Sequence, residues 1–130
     1  MALKVEIKSG ERIIIGGSII TNDGHRAHLN VEGHSPILRE KDVMRPEDAD
    51  TPCKKIYLAI QMMYLSETPD HCFRLYFELV QDVQKAAPSM MLQIDAINNE
   101  ILTGSYYKAL KRAKALIDYE KELIDNARSG

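Results

Sequence analysis

The pattern of apolar and polar positions in the first forty residues predicts β-strands in five runs, residues 3–8, 11–15, 18–21, 27–32 and 34–39. The first and fourth runs alternate apolar and polar positions with a period of two, the pattern of half-buried β-strands, and the second and third are short and β-rich. Gly16-Gly17 is a two-residue hairpin signal between the second and third runs. In the first run, Leu3, Val5 and Ile7 are the predicted core-facing side chains. The pattern predicts about five short strands in an antiparallel sheet or partial barrel.

Beyond residue 51 the apolar positions recur every three or four residues, which indicates amphipathic α-helices. Thr51-Pro52 is a helix start signal. The four predicted stripes are Ile56, Ile60 and Met63; Phe73, Phe77 and Val80; Met91, Ile94, Ile97 and Ile101; and Tyr106, Leu110, Ala113, Ile117, Glu120 and Ile124. The predicted fold class is therefore α+β, with an antiparallel β module in residues 1–44 and a helical region in residues 45–130. We expect the two parts to pack as one compact unit, because roughly 40 residues of sheet rarely hold a stable core alone.

Composition is that of an ordinary globular protein, with 45% hydrophobic and 28% charged residues. No apolar run approaches the roughly 20 residues that cross a bilayer, so we expect a cytoplasmic protein without membrane contact. Cys53 and Cys72 lie outside any Cys-x-x-Cys spacing, and we expect free thiols. His25 and His28 fall on opposite faces of a strand. No metal site, cofactor site or catalytic group is predicted, and we expect a protein that is not an enzyme.

The net charge of −2 is distributed unevenly along the chain. Residues 1–44 carry six Lys or Arg against six Asp or Glu, residues 45–104 carry five against nine, and residues 105–130 carry six against four. Such a balanced protein cannot hold nucleic acid by bulk phosphate attraction, which needs several clustered cations. Any nucleic-acid contact is therefore expected to be local.

The fourth predicted helix holds the densest cluster of cations. Lys108, Lys111, Arg112 and Lys114 lie within two turns, and no acid occurs between residues 105 and 117. Lys108, Lys111 and Arg112 share one face, and Tyr107 beside them has a ring on which a base can stack. This face is either a nucleic-acid contact or a solvated helix surface. The six methionines likewise form either an adaptable partner-binding groove or core filling.

Several short motifs occur in order along nearly the whole chain. They are Leu3-Lys4-Val5, Ser9-Gly10-Glu11-Arg12, Ile15-Gly16-Gly17, Leu38-Arg39-Glu40-Lys41-Asp42-Val43-Met44, Thr51-Pro52, Ile56-Tyr57, Met62-Met63-Tyr64-Leu65 and Gly104-Ser105-Tyr106-Tyr107-Lys108-Ala109-Leu110. Together they resemble the flagellin-biosynthesis regulator family FlbT. The resemblance implies a regulator that represses, and in some bacteria promotes, flagellin production by acting at the 5′ untranslated region of flagellin messenger RNA. It also implies that repression can proceed by promoting messenger decay, and that the protein works alongside the small flagellar protein FlaF.

Residues 3–44 also resemble, more weakly, the carbon storage regulator family of RNA-binding β proteins. The shared frame is Gly10-Glu11, Ile15-Gly16 and a closing strand followed by Arg39-Glu40. This resemblance implies that Arg39 contacts RNA and that the protein is a homodimer, although Ile7-Lys8 stands where that family carries an Arg pair.

The resulting hypothesis is an RNA site on a flagellin messenger leader. Its predicted residues are Arg39, with Lys8, Lys41, Lys108, Lys111 and Arg112 as supporting cations. In the alternative interpretation, residues 39–42 are the alternating-charge exit from a strand that pairs internally. The alternative function is an adaptor that binds flagellin, FlaF or another flagellar factor through methionine-rich helices and affects the messenger indirectly.

Overall fold

The computed structural model describes residues 2–129 and confirms the α+β fold class. Five strands come first: β1 (Ala2–Ile7), β2 (Arg12–Ile15), β3 (Ser18–Thr21), β4 (Ala27–Glu32) and β5 (Ile37–Arg39). Four helices follow: α1 (Pro52–Leu65), α2 (Phe73–Ala86), α3 (Met91–Leu102) and α4 (Tyr106–Ser129). The chain divides into two compact units, a β unit that ends at Val43 and a helical unit that begins at Met44. That the two pack as one body stays a prediction.

The β unit contains two small antiparallel sheets. One pairs β1 with β4, and the other has the order β3-β2-β5. Gly16, at a φ of +60°, lies in the left-handed region that favours glycine, and the predicted hairpin between β2 and β3 is confirmed. The last strand is shorter than predicted, because Pro36 lies directly before it and has no backbone N–H to donate to a neighbouring strand. The Pro36 carbonyl oxygen accepts a hydrogen bond from the Gly16 amide at 2.8 Å.

The core of the β unit lies between the inner faces of these sheets. Val5, Ile7 and Ile13 are its buried residues. Partly buried side chains packed against them are Ile15, Leu29, Val31 and Ile37. Leu3 was predicted to face this core, but it is 50% exposed because it lies near the outer end of β1, where fewer neighbours cover it.

In the helical unit, α1 packs against α2 and α4, and α3 packs against α4. The start of α1 is as predicted, since Pro52 is its first residue and the Thr51 side chain accepts a hydrogen bond from the Lys54 amide. The predicted stripe of α1 is confirmed, because Ile56, Ile60 and Met63 are buried.

The buried face of α2 differs from the predicted stripe by one position. Tyr76, Val80 and Val83 are buried, whereas Phe77 is 42% exposed. The Tyr76 hydroxyl donates a hydrogen bond to Asn98 Oδ1 on α3, so the polar end of this ring has a partner and the ring can be buried. Burial raises the pKa of this hydroxyl, and the nearby charge of Asp95 acts in the same direction.

Glu120 is a polar residue on the buried face of α4, as its place on the predicted stripe indicated. It is 7% exposed, and its carboxylate accepts hydrogen bonds from the Thr51 hydroxyl and from the Cys53 amide, at 2.5 and 3.0 Å. Both donors lie at the N-terminus of α1, where backbone amides lack helical partners and the helix dipole favours negative charge. The carboxylate therefore joins α4 to the start of α1.

We expect Glu120→Ala to lower the free energy of unfolding by about 1–3 kcal/mol, because the Thr51 hydroxyl and the Cys53 amide lose their acceptor in a buried place. Urea unfolding followed by circular dichroism measures the change. Glu122→Ala is the matched control, since it removes an exposed carboxylate from the same helix and should change stability by no more than about 0.5 kcal/mol. Equal effects of the two substitutions would contradict the role given to Glu120.

Candidate nucleic-acid contact sites

Arg39, the predicted RNA contact, lies at the end of β5 opposite Ile13 of β2. Its Nη2 donates hydrogen bonds to the Glu6 carbonyl oxygen at 2.5 Å and to Glu11 Oε1 at 3.3 Å. The guanidinium therefore ties β5 to β1 and to the turn before β2. Its side chain remains 36% exposed, and a guanidinium has five N–H donors, so donors remain for a further contact.

Glu11 accepts hydrogen bonds from the backbone of one predicted site residue and from the side chain of another. Its Oε1 atom accepts from the Lys8 amide at 3.1 Å as well as from Arg39. The hydrogen bond from the Lys8 amide is the main cause that lowers the pKa of Glu11, against a smaller desolvation effect that raises it, and the positive charges of Arg39 and Lys8 lower it further. The structure thus brings two predicted residues, Lys8 and Arg39, to one carboxylate.

The other two arginines of the β unit are also paired. Arg12 binds Glu40 through two nitrogen atoms, at 3.1 and 3.2 Å, and Arg26 binds Glu6 at 2.9 Å. Arg39 and Glu40 therefore both have ion-pair partners within the β unit. The strand that they leave, β5, pairs with β2, as in the alternative interpretation of residues 39–42. Lys41 lies in the short 3-10 turn Glu40–Asp42 and is exposed.

The α4 basic face consists of Tyr107, Lys108, Lys111 and Arg112, all exposed. Lys111 Nζ lies over the Tyr107 ring, 5.1 Å from its centroid. Arg112 Nε donates to Glu100 Oε1 of α3 at 3.2 Å. Among residues 2–129, Lys108 and Lys111 form no ion pair, so no carboxylate neutralises their charges.

Tyr64 of α1 extends this face, and the sequence pattern missed it. Its ring centroid is 5.7 Å from that of Tyr107, with the planes tilted by 46°. The contact joins two helices that are far apart in sequence, so no local spacing signals it. The result is an aromatic pair beside two lysines that have no ion-pair partner.

The predicted residues thus form two groups. Lys8, Arg39 and Lys41 belong to the β unit, and Lys108, Lys111 and Arg112 lie together on α4. That the two groups serve one RNA site stays a prediction.

The described methionines and cysteines range from buried to exposed. Met63 and Met90 are 1% and 3% exposed, which favours core filling over a methionine groove, and Met62 is the exposed exception at 46%. Cys53 is buried and Cys72 is half-buried, both as free thiols, and burial raises the pKa of each.

Residues 2–129 contain no group of three or more His, Cys, Asp or Glu side chains placed to hold a metal ion. They also contain no helix with the length and apolar character needed to cross a membrane.

The interactions of Glu11 give the β unit a specific pH dependence. Because the folded state lowers the pKa of Glu11, its ionised form adds stability above its unfolded pKa, and this contribution is lost as the pH falls through the folded value. We expect Glu11→Gln to lower the melting temperature at neutral pH, with a deficit that shrinks towards about pH 3. Thermal melts followed by circular dichroism across this range measure the deficit.

The control for this prediction is Glu32→Gln, which removes an exposed carboxylate at the end of β4. Its melting profile should follow that of the unsubstituted protein at every pH. A Glu11→Gln deficit that does not vary with pH would show that lost packing, and not the ionised carboxylate, accounts for the effect.

Comparison with known proteins places these features in a family. The family model for flagellar protein FlbT matches residues 3–124. A probable flagellum biosynthesis repressor protein FlbT 1 of Bradyrhizobium diazoefficiens is 53% identical over 124 residues, covering 95% of this chain and 85% of the relative. A probable flagellum biosynthesis repressor protein FlbT of Rhodopseudomonas palustris is 45% identical over 95% of this chain and 98% of its own length.

A more distant relative covers the chain completely. The flagellum biosynthesis repressor protein FlbT of Caulobacter vibrioides is 33% identical over 135 residues, covering 100% of this chain and 94% of the relative. No solved structure matches. The extent of the family match and the identity to these relatives confirm the predicted resemblance: the chain belongs to the FlbT family of flagellar proteins.

Proposed function

We propose that this protein regulates flagellin synthesis by binding an unpaired segment in the 5′ untranslated region of flagellin messenger RNA. Membership of the FlbT family supports the coarser part of this proposal, a regulatory role in flagellum biosynthesis. The single observation that carries the finer part is the α4 basic face, where Lys108 and Lys111 have no ion-pair partner beside the exposed ring of Tyr107.

The chemistry of the α4 basic face suits a single strand of RNA. Unpaired bases stack on aromatic rings, and lysines neutralise the phosphates between them. Tyr107 is 42% exposed and is supported by the Tyr64 ring. A base that stacks on Tyr107 takes the place of Lys111 over the ring, which releases that ammonium for a phosphate. In this arrangement Lys108 supplies a second phosphate contact.

Arg39 is the proposed contact on the β unit, with Lys8 beside it and Lys41 two residues further along the chain. A base edge or a phosphate can accept hydrogen bonds from the guanidinium donors that Glu6 and Glu11 leave free. The exposed ammonium groups of Lys8 and Lys41 would neutralise neighbouring phosphates. Binding at the leader then represses flagellin synthesis, either by blocking translation or by promoting messenger decay.

The alternative function is an adaptor that binds flagellin, FlaF or another flagellar factor and affects the messenger indirectly. The observation that favours it is the pairing of Arg12, Arg26 and Arg39 with acidic side chains, which reduces the positive charge that the β unit offers to RNA. An electrophoretic shift of leader RNA that requires purified FlaF would support this function. A shift with the protein alone would support direct binding.

We expect the double substitution Lys108→Ala and Lys111→Ala to weaken binding to a flagellin leader RNA. The loss should be similar for leader RNAs of different sequence, because the two lysines contact phosphates. Each lost phosphate contact should reduce the slope of log affinity against log salt concentration by about one. Fluorescence anisotropy across a salt series measures both effects. Lys121→Ala, an exposed lysine further along α4, is the matched control and should leave the slope unchanged. An unchanged slope in the double variant would contradict the assignment.

Tyr107→Ala should weaken binding of leader RNA by about 1–3 kcal/mol, the loss of one stacked base. The slope of log affinity against log salt concentration should equal that of the unsubstituted protein, because no phosphate contact is lost. The same anisotropy measurement tests this. Circular dichroism checks that α4 remains folded, so that a loss of affinity is not mistaken for a loss of structure. Binding equal to that of the unsubstituted protein would exclude Tyr107 as a stacking residue.

A further inference from the structure

Helix α3 exposes two leucines to an extent that no other large hydrophobic residue matches in the part of the chain that the structure describes. Leu92 is 85% exposed and Leu102 is 78% exposed. Asp95 and Asn99 are exposed between them. Asp95, Asn99 and Leu102 follow Leu92 by three, seven and ten residues. These spacings place all four side chains on one face of a helix, which we call the α3 outer face.

The opposite side of the same helix explains why this face is left uncovered. Ile94, Ile97 and Ile101 are buried in the helical unit, as the sequence pattern predicted. Their apolar stripe already fixes α3 against its neighbours. The two exposed leucines are therefore not needed for this packing, and their exposure costs the isolated chain favourable burial of apolar surface.

We propose that the α3 outer face is a two-fold contact between two copies of this chain. The four residues are spaced symmetrically along the helix on either side of Ile97: Leu92 and Leu102 lie five residues from it, and Asp95 and Asn99 lie two residues from it. Two such helices can pair antiparallel about a two-fold axis that passes the helix at the level of Ile97. Leu92 of each copy then meets Leu102 of the other. By the same geometry, Asp95 of each copy meets Asn99 of the other.

The contacts formed by this arrangement are chemically complementary. The leucines bury each other at both ends of the contact, and the Asn99 amide donates a hydrogen bond to the Asp95 carboxylate in two equivalent places. Asp95 forms no ion pair among residues 2–129, so its carboxylate is available. A parallel pairing in the same register would instead place the two Asp95 carboxylates against each other. The same surface patch thus serves both copies, as a two-fold interface requires.

The size of this contact sets the expected affinity. A helix of 12 residues is about 18 Å long, so one pair of such helices buries less than the roughly 1,200 Å² that is typical of stable complexes. We therefore expect a weak dimer whose population rises with protein concentration. Each dimer carries two copies of the α4 basic face.

Sedimentation velocity from low micromolar to several hundred micromolar protein tests the proposal. We expect a monomer–dimer equilibrium that Leu92→Gln abolishes. Asn99→Asp should weaken the dimer by about tenfold or more, because it places like charges opposite each other. Asn99→Lys should strengthen it, because each lysine then meets Asp95 of the other copy. Leu75→Gln, which removes a 45% exposed leucine from α2, is the matched control and should not change the equilibrium.

A crosslinking experiment tests the antiparallel geometry. Leu92→Cys and Leu102→Cys are made in a Cys72→Ser background, where the remaining Cys53 is buried. With a short bis-maleimide linker, a mixture of the two variants should give crosslinked dimers, and either variant alone should not. A protein that stays monomeric at every concentration, or a Leu92→Cys variant that crosslinks to itself, would overturn the proposal.

Discussion

The Glu120 carboxylate accepts hydrogen bonds from the Thr51 hydroxyl and the Cys53 amide, and this interaction fixes where α4 meets the start of α1. The remaining packing of the helical unit depends on that junction. Because α1 also packs against α2, and α4 also packs against α3, a displaced junction would disturb all four helices. The same junction holds α1 and α4 in register, and Tyr64 and Tyr107 meet across these two helices.

In the β unit, arginine side chains form ion pairs and a hydrogen bond to the backbone. Its three arginines each bind an acidic side chain, and Arg39 additionally binds the Glu6 carbonyl oxygen of β1. The hydrogen bond from Arg39 to Glu6 links β5 to β1, strands that belong to the two separate small sheets. Arg39 is consequently both a structural residue and the proposed RNA contact, whereas Lys108 and Lys111 of α4 have no such structural role. This difference is why the α4 basic face carries the functional proposal.

Local periodicity was sufficient to predict the elements and much of the core. The alternation in β1 and β4, the hairpin at Gly16 and the cap at Thr51 are local signals, and each is confirmed. The α2 stripe is wrong because a tertiary contact decides which aromatic ring is buried. Tyr76 replaces Phe77 in the core because Asn98, 22 residues away, satisfies its hydroxyl.

In the candidate site too, residues of one helix face are grouped visibly in the sequence, whereas contacts between separate elements are not. The clustering of Lys108, Lys111 and Arg112 is visible in the sequence because the residues share one helix face. The pairing of Arg39 with Glu11 and the contact of Tyr64 with Tyr107 are not visible, since each joins separate elements.

If leader RNA stacks on the α4 basic face, an unpaired base lies against the Tyr107 ring. Ultraviolet crosslinking of the purified protein to a flagellin leader RNA, followed by mass spectrometry of the crosslinked peptides, detects such a contact. We expect a crosslink at Tyr107, in the peptide that begins α4. Crosslinks confined to other parts of the chain, or none at all with the leader RNA, would contradict it.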